Sequence, residues 1–281
     1  MNNLKWSDWL PLEGDKEVYR QVPNKHSGIY RIRDAISKRT IYIGQTGRCL
    51  RERLRVLRKG VYASEMPFND PHTAAPNLWV WLKEADFVYE FSYLGIELNT
   101  PQLQGLEDYV LWSHRTKYGC SALCNYGRFH PSWIKSSNRD KGRIGKKASS
   151  AVLTPEDIYN SPVLTSLERS NSIHWMRLNW AEPRLLSKSE ITRNLKMPGI
   201  YRLMSVESNE VLYIGEAKDL SVRLKAHARN PRFAKPINFS CIGGTEFSDP
   251  CSRLEMETDL IGAFFEEQNR VPYYQYKRRA R

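Results

Sequence analysis

The sequence lacks the features that place a chain in a membrane or a secretory compartment. No run approaches the roughly 20 apolar residues of a membrane-spanning helix. The stretch from Met1 to Leu10 carries two tryptophans and no apolar core of a secretory signal. The five cysteines are odd in number and form no Cys-x-x-Cys pair. We therefore expect free thiols in a reducing cytoplasm, no membrane association and no zinc site.

Acidic residues are also scarce relative to basic ones. The chain of 281 residues has 43 Lys and Arg against 31 Asp and Glu, which leaves a net charge of +12. Such an excess favours a polyanionic partner such as nucleic acid. Lys and Arg side chains attract the partner electrostatically and displace the counterions on its phosphates when they bind. The length suits one large domain or two small ones, and 41% hydrophobic residues are enough for ordinary cores.

Two short words occur twice, in the same order and with the same spacing. Gly28-Ile29-Tyr30 precedes Tyr42-Ile43-Gly44, and Gly199-Ile200-Tyr201 precedes Tyr213-Ile214-Gly215. The tyrosines are 12 positions apart in both copies. A self-similar pattern of this kind predicts two copies of one structural module.

Each copy predicts a small, mainly antiparallel sheet flanked by helices. Two β-rich runs separated by a polar turn form a hairpin, which the glycine of the second word is expected to end. A short helix follows in each copy, predicted in the second from the stripe of Leu220 and Leu224 with Asp219 as its N-cap. In the first copy the stripe is Leu50, Leu54 and Leu57, and Gly60 is expected to end the helix. A longer helix comes later in each copy. The predicted strands are Ile29–Arg33, Thr40–Ile43, Ile200–Met204 and Val211–Ile214, and the longer helices are Leu103–Lys117 and Ser252–Glu267.

The repeat predicts three segments along the chain. Residues 1–134 form the first module with a tryptophan-bearing lead-in, and residues 170–281 form the second with a basic C-terminal tail. Residues 135–169 are expected to form a basic connector. Its part from Lys135 to Leu153 is rich in Ser, Gly, Lys and Arg, which predicts a flexible segment that touches DNA.

The repeated words resemble the signature of the GIY-YIG nuclease superfamily. This resemblance implies an α/β fold of the α+β type with two GIY-YIG modules, and hydrolysis of DNA phosphodiester bonds by direct water attack. It also implies a divalent cation, Mg²⁺ or Mn²⁺. The first copy further resembles a bacterial branch of the superfamily in its Pro-His-Thr word at residues 71–73 and in the stretch from Asn125 to Phe129.

In the second copy the resemblance assigns chemistry to four residues near the hairpin. Tyr201 is the implied general base or its partner, and Tyr213 an orienting hydrogen-bonder. Arg223 and His227 are four positions apart on one helix, so both project from one face. The guanidinium fork of Arg223 suits a phosphate, and His227 is suited to proton transfer or phosphate binding.

The metal ligand of the second copy is implied to be Glu257, in a Glu-x-x-Leu-Ile arrangement. One carboxylate suits Mg²⁺, which keeps most of its waters. Glu257 is preferred over Glu255 because Glu257 to Gln275 and Glu107 to Asn125 both span 18 positions. The superfamily frequently has an active-site Asn at the position of Asn125, and Gln275 is a conservative change there.

The first copy carries the matching residues Tyr30, Tyr42, Arg53, Glu107 and Asn125, with Glu107 as its implied metal ligand. The position of His227 is occupied by Leu57, which neither transfers a proton nor binds phosphate. Tyr62 and His72 are the candidates to replace the histidine. Otherwise the first copy is degenerate.

Basic residues around the first copy are candidates for phosphate contact. They cluster on the helix after the motif strands and in the segments that follow, although a basic helix face is also typical of a solvated surface. The candidates are Arg48, Arg51, Arg55, Arg58, Arg128, Lys141 and Arg143.

The favoured function is a metal-dependent DNA endonuclease that acts in restriction or defence with two active sites per chain, as a monomer or dimer. A structure-specific repair nuclease is a second enzymatic interpretation. The alternative from another class is a DNA-binding protein with one active and one degenerate module. A binder with two inert modules is disfavoured by the two glutamates.

Overall fold

The structure is a computed structural model that describes residues 4–68, 74–137, 142–151, 153–165, 168–233 and 235–276. The chain divides into two compact units. Unit 1 comprises residues 1–103 and 121–159, and unit 2 comprises residues 104–120 and 160–281. Two predicted site residues, His72 and Lys141, lie outside the described residues. No helix of the described part is long and apolar enough to cross a membrane.

Unit 1 is built on an antiparallel sheet whose strands lie in the order β1-β4-β2-β3. Its core is formed by the inner face of this sheet and the apolar faces of two helices, with Leu54, Leu57 and Trp81 fully buried. The elements are β1 (Leu10–Pro11), α1 (Lys16–Arg20), β2 (Gly28–Asp34), β3 (Thr40–Thr46), α2 (Leu50–Val61), α3 (Ala74–Glu84), β4 (Tyr89–Gly95), the start of α4 (Thr100–Tyr118), β5 (Trp133–Ile134) and β6 (Lys146–Lys147).

Unit 2 repeats this plan with the strand order β7-β10-β8-β9. Its core contains Leu203, Leu220, Leu224 and Phe239, all buried. Unit 2 also includes most of α4, from residue 104 onward. Its other elements are β7 (Arg184–Leu185), β8 (Gly199–Ser205), β9 (Val211–Ala217), α5 (Leu220–Ala228), β10 (Ile237–Gly243) and α6 (Pro250–Gln268).

The two sheets agree in register as well as in order. Tyr30 pairs with Gly44 across β2 and β3, and Tyr201 pairs with Gly215 across β8 and β9. Both hairpins carry an irregularity near the end of the first strand, at Ile32/Arg33 and at Leu203/Met204. The mixed α+β fold with antiparallel sheets is therefore confirmed.

The predicted end of each second strand is wrong. Strand β3 continues past Gly44 to Thr46, and β9 continues past Gly215 to Ala217. Each glycine is held within the ladder because it pairs with the tyrosine of the first word. Helix α2 likewise runs one residue beyond Gly60, to Val61.

The tryptophans of each lead-in pack on the arginine that follows the first word. The guanidinium of Arg31 lies 4.2 Å from the ring centroid of Trp6 and 4.6 Å from that of Trp9. In unit 2 the guanidinium of Arg202 lies 4.5 Å from the ring of Trp180. Because side chains alternate along a strand, these arginines occupy the sheet face opposite Tyr30 and Tyr201. The lead-ins thus cover the back of each sheet.

Helix α4 is tied to unit 2 by a buried cluster of ions. Arg115 donates to Asp259 at 2.8 Å and contacts Glu255 at 2.9 Å, and all three side chains are fully buried. The helices approach closely, since a Cβ on Gly262 would lie 2.7 Å from Cβ of Trp112. The observed units therefore differ from the predicted segments, in which residues up to 134 belonged to the first module.

The predicted flexible connector is in part an ordered piece of unit 1. Strands β5 and β6 pair antiparallel, with Trp133 opposite Lys147. Lys147 forms an ion pair with Glu84 at 2.8 Å, and Trp133 donates to the same carboxylate at 2.7 Å. The segment from residue 135 to residue 159 clusters with unit 1, so a basic composition did not mark it as a linker.

We predict that Arg115→Met lowers the free energy of unfolding by about 3 to 5 kcal/mol, because it leaves Glu255 and Asp259 as buried carboxylates without a counter-charge. Urea unfolding followed by circular dichroism measures the change. Lys117→Met removes an exposed charge from the same helix and is the matched control, with an expected change within about 0.5 kcal/mol. Equal effects of the two substitutions would contradict a stabilising role for the cluster.

Candidate active site

The hydroxyl of Tyr201 is the centre of a hydrogen-bond cluster in unit 2. It lies 2.8 Å from Nε2 of His227 and accepts from Nε of Arg223 at 3.1 Å. Arg223 Nη2 also lies 3.5 Å from the hydroxyl of Tyr213, at the outer limit of a hydrogen bond. The structure thus brings together four of the residues that the sequence predicted for this site.

The glycine of the second word makes room for this cluster. A Cβ on Gly215 would lie 2.5 Å from the hydroxyl of Tyr201. In unit 1, a Cβ on Gly44 would lie 2.9 Å from the hydroxyl of Tyr30. Any other residue would displace the tyrosine, because real Cβ atoms do not approach a neighbour so closely. The glycine is therefore required by the position of the phenol.

Helix α5 sets the positions of Arg223 and His227. Asp219 caps its N-terminus, because its carboxylate accepts from the backbone N–H of Val222 at 3.0 Å. Leu220 and Leu224 pack into the core, which turns the faces of Arg223 and His227 toward Tyr201. The predicted cap and the predicted apolar stripe are both confirmed.

A cleft of about 420 Å³ opens beside this cluster. Tyr201 is fully buried and is not among the residues that line it, whereas Tyr213 is half-buried and does line it. The lining residues are Tyr213, Arg223, Ala226, His227, Asn230, Arg232, Glu257, Tyr274, Gln275 and Tyr276. Of the two tyrosines, Tyr213 is therefore the one that lines the cleft.

The protein environment shifts the pKa values of Tyr201 and His227. Burial raises the pKa of Tyr201 well above its ordinary value, and Arg223 only partly opposes this shift. Tyr201 is therefore a neutral phenol at pH 7 in the metal-free protein. Burial, with the charges of Arg223 and Arg232, lowers the pKa of His227 to about 4, so its imidazole is neutral at pH 7 and one ring nitrogen accepts a hydrogen bond.

Glu257 is the carboxylate on the wall of the cleft. Burial, and next the charge of Glu216, raise the pKa of Glu257 to about 7, while a backbone hydrogen bond from Glu216 and the charge of Arg223 act the other way. A carboxyl that resists ionisation in the free protein gains from a bound cation, which favours its charged form.

The donor set fits a hydrated divalent cation. No group of three or more His, Cys, Asp and Glu side chains suited to a metal occurs within the described residues. Mg²⁺ needs no such group, since it keeps several waters and binds through one or two carboxylates. Glu257 is the acidic side chain among those that line the cleft and is the residue that would hold the ion.

Glu216 and Arg253 support the site and were missed from the sequence. Nε of Arg253 donates to Oε2 of Glu216 at 2.6 Å, and Arg253 also donates to the backbone carbonyl of Phe247 at 2.7 Å. The position of Glu216 directly after Gly215 of the repeated word is the sequence feature that could have identified it. Its partner, 37 positions away, carries no motif.

Gln275 and Asn125 each form hydrogen bonds with the backbone of a motif strand. Gln275 accepts from the backbone N–H of Ile214 at 3.1 Å. Asn125 accepts from Ile43 N–H at 3.0 Å and donates to its carbonyl at 2.8 Å. These matching contacts make the two residues structurally equivalent, as the shared spacing predicted. Both residues are buried, and their described bonds hold the middle residue of the second word.

Unit 1 keeps part of the cluster. Nε of Arg53 donates to the hydroxyl of Tyr30 at 2.8 Å, and the rings of Tyr30 and Tyr42 lie 6.0 Å apart. Leu57, at the position of His227, is fully buried in the core. The scaffold of the cluster is thus present in unit 1, with an apolar side chain where unit 2 has an imidazole.

Glu107 lies in the part of α4 that belongs to unit 2, whereas Tyr30, Tyr42, Arg53 and Asn125 lie in unit 1. Its charge acts together with that of Glu257 on the buried pair formed by Tyr276 and Asp108, in which the tyrosine hydroxyl donates to the carboxylate. Unit 2 therefore contains both predicted metal ligands.

Three of the predicted phosphate-contacting arginines line a groove of about 1010 Å³ between α1 and α2. Arg51 donates to the carbonyl of Val22 at 2.8 Å, Arg58 to that of Glu13 at 3.2 Å, and Arg55 pairs with Glu52 at 2.9 Å. These bonds hold the side chains at the groove.

The other predicted phosphate contacts lie elsewhere in unit 1. Arg48 and Arg143 are exposed. Arg128 donates to the carbonyl of Tyr159 at 3.0 Å, and its guanidinium lies 5.6 Å from the ring of Tyr126. Phosphate contact by all six described residues stays a prediction.

Residues 197–268 match the family model of the GIY-YIG catalytic domain. The matched span runs from just before β8 to the end of α6 and so contains Tyr201, Tyr213, Arg223, His227 and Glu257. A GIY-YIG catalytic domain makes the chain an endonuclease, a hydrolase of phosphodiester bonds. The match does not extend to the first copy, so the tandem arrangement rests on the repeated words and the shared sheet order. No curated protein and no solved structure gave a match.

We predict that Glu257→Gln stabilises the metal-free protein at pH 8 by about 1 to 3 kcal/mol. The carboxyl's pKa rises from 4.5 in the unfolded chain to about 7 in the folded one. The neutral carboxyl of Glu257 thus contributes its full stabilisation below pH 4.5, and this contribution is lost as the pH rises through 7. Glutamine does not ionise, so its contribution to the free energy of unfolding does not change over this range. Urea unfolding from pH 5 to pH 8 in EDTA measures the difference.

Glu266→Gln, an exposed change on the same helix, is the control and should show a flat difference across this range. A flat difference for Glu257→Gln as well would contradict an enclosed carboxyl. Adding Mg²⁺ should raise the melting temperature of the unsubstituted protein and not that of Glu257→Gln, because a ligand stabilises only the fold that binds it.

Proposed function

We propose that the protein is a metal-dependent DNA endonuclease whose active centre is the cleft of unit 2. The observation that carries this proposal is the convergence of Arg223, His227, Tyr213 and Glu257 on one cleft of a GIY-YIG catalytic domain. A nuclease domain implies a nucleic acid substrate, and the net charge of +12 favours it. A site of this composition supplies what phosphodiester hydrolysis needs: a positive charge from Arg223, a proton acceptor from His227 and a metal ligand from Glu257.

Arg223 contacts the scissile phosphate in this proposal. Its Nε–H is bonded to Tyr201, which fixes the guanidinium plane and leaves further N–H groups for the phosphate oxygens. A cation held in advance stabilises the charge that develops on the phosphorus centre without reorganising during the reaction.

Tyr213 orients the attacking water, and Tyr201 is a positioning residue. This assignment keeps the orienting role that the resemblance implied for Tyr213 and withdraws the role of general base from Tyr201, because Tyr213 lines the cleft and Tyr201 is buried. The Tyr201 hydroxyl holds Arg223 and the His227 ring in place. A bound phosphate brings negative charge near His227, which raises the pKa of its imidazole and makes it a better proton acceptor.

Glu257 would hold Mg²⁺ or Mn²⁺ at the cleft wall. When bound, the cation supplies positive charge that offsets the charge of the scissile phosphate. Glu216 lies close enough to raise the pKa of Glu257 and is itself paired with Arg253, so the two acids do not compete for the same counter-charge.

Unit 1 serves as a DNA-binding module in the favoured arrangement. Leu57 removes the imidazole from its cluster, and the groove between α1 and α2 offers Lys16, Arg20 and Lys59 in addition to the three predicted arginines. A groove with this surplus of cations suits a phosphate backbone.

A second candidate is a restriction or defence nuclease in which both copies cut. The retained bond between Arg53 and Tyr30 favours it, and two centres on one chain would cut both strands without dimerisation. A structure-specific repair nuclease differs from both in preferring branched or damaged substrates.

We predict that Tyr213→Phe reduces the cleavage rate by about 100-fold or more, because it removes the hydroxyl that faces the water. Tyr201→Phe should reduce the rate by only about tenfold, since the ring still fills its buried site and only the hold on Arg223 and His227 is lost. Single-turnover cleavage of a labelled duplex measures both rates. A larger loss for Tyr201→Phe would restore the role that the sequence implied.

The function is tested by incubating supercoiled plasmid with the purified protein and Mg²⁺. We expect Glu257→Gln to abolish cleavage and Glu266→Gln, the exposed control on the same helix, to leave it unchanged. Glu107→Gln distinguishes the arrangements. If cleavage by this variant is unchanged, one centre acts. If the variant yields nicked plasmid where the unsubstituted protein yields linear plasmid, two centres act.

Discrete linear fragments would support restriction or defence, whereas cleavage confined to branched DNA would support repair. An unsubstituted protein that cuts no form of DNA with Mg²⁺ or Mn²⁺ would overturn the proposed function.

A further inference from the structure

Arg232 is a second arginine on the wall of the active-site cleft. It lies on the segment between α5 and β10 and lines the cleft with Arg223 and Glu257. Its guanidinium carbon lies 4.6 Å from the ring centroid of Phe233, 5.5 Å from that of Tyr213 and 5.7 Å from that of Tyr274. Three aromatic rings thus hold the plane of this guanidinium in place.

The Nε–H of Arg232 is buried and has no hydrogen-bond partner among the described residues. A buried donor without an acceptor costs free energy, and native proteins rarely leave one without a function. Arg223, by comparison, already donates to Tyr201. An acceptor brought by a bound molecule would satisfy this one donor.

The charge of the cleft defines the chemistry of that acceptor. Two arginines line the cleft, and Glu257 is the acidic side chain among its lining residues. The charge of Arg232 is felt within the cleft, since it depresses the pKa of His227. A planar fork fixed against aromatic rings matches the two oxygens of a phosphate diester.

We propose that Arg232 binds the phosphate of the substrate strand next to the scissile phosphate held by Arg223. This inference rests on the proposed function and specifies how the cleft holds its substrate. Arg223 and Arg232 then contact successive phosphates of the strand. The three aromatic rings keep the guanidinium of Arg232 in the orientation that this contact needs.

The first copy has a different residue at the position in sequence that corresponds to Arg232. Arg232 comes five positions after His227, and Tyr62 comes five positions after Leu57. Tyr62 is half-buried against the core of unit 1, and burial raises its pKa to about 12. At these two positions unit 1 therefore has a leucine and a tyrosine in place of the imidazole and the second arginine.

The test measures binding of a short fluorescent DNA duplex by the full chain in EDTA, by anisotropy, over a series of salt concentrations. Arg232→Ala should weaken binding about 10- to 100-fold and reduce the slope of log affinity against log salt by about 0.9, the value of one lost phosphate contact. Arg232→Lys keeps the charge without the fork, so it should keep the slope and lose about three- to tenfold in affinity.

Arg229→Ala is the matched control, because Arg229 is an exposed arginine three positions earlier that does not line the cleft. It should keep both the affinity, within about threefold, and the slope. Melting temperatures identify a variant that has merely lost structure.

The proposal is overturned if Arg232→Ala behaves like Arg229→Ala, or if its slope is unchanged while its melting temperature falls. An unsubstituted protein that binds no DNA in EDTA also overturns it. Binding with the expected slope change, combined with no cleavage in Mg²⁺, would retain the phosphate contact and refute the nuclease function instead.

Discussion

The pairing of a tyrosine with a glycine across two antiparallel strands is the constraint on which the site depends. Tyr201 lies opposite Gly215, and the missing side chain leaves space for its phenol between the sheet and α5. Because the phenol is fixed there, its hydroxyl fixes Arg223 and His227 in turn. The two repeated words therefore encode a scaffold and supply Tyr213 to the cleft, whereas Arg223, His227 and Glu257 come from the helices packed against it.

Much of this scaffold was predictable from the sequence, because it depends on short-range patterns. The hairpins, the Asp219 cap and the matching positions of Asn125 and Gln275 follow from spacing alone. The allocation of α4 to unit 2 was not predictable, since the partners of Arg115 lie 144 positions away at Asp259 and nearly as far at Glu255. The position of Arg232 was missed for a related reason: it lies outside any periodic element and is defined by three rings that converge from different parts of unit 2.

The two units show how one scaffold can carry different chemistry. Unit 1 retains the strand order, the register and the bond between Arg53 and Tyr30. Its helix, however, buries Leu57 where α5 presents His227. A leucine at this point is part of the buried core and is not a group that can accept a proton. The same strands and helix thus hold an apolar contact in unit 1 and a hydrogen-bonded imidazole in unit 2.

Helix α4 makes unit 2 a discontinuous domain, and this limits how the gene can be rearranged. A segment cut to residues 197–268 carries Glu255 and Asp259 without Arg115, so it contains two buried acids that no longer have a counter-charge. Transfer of unit 2 into another gene therefore needs residues 104–120 as well, because this stretch supplies Arg115.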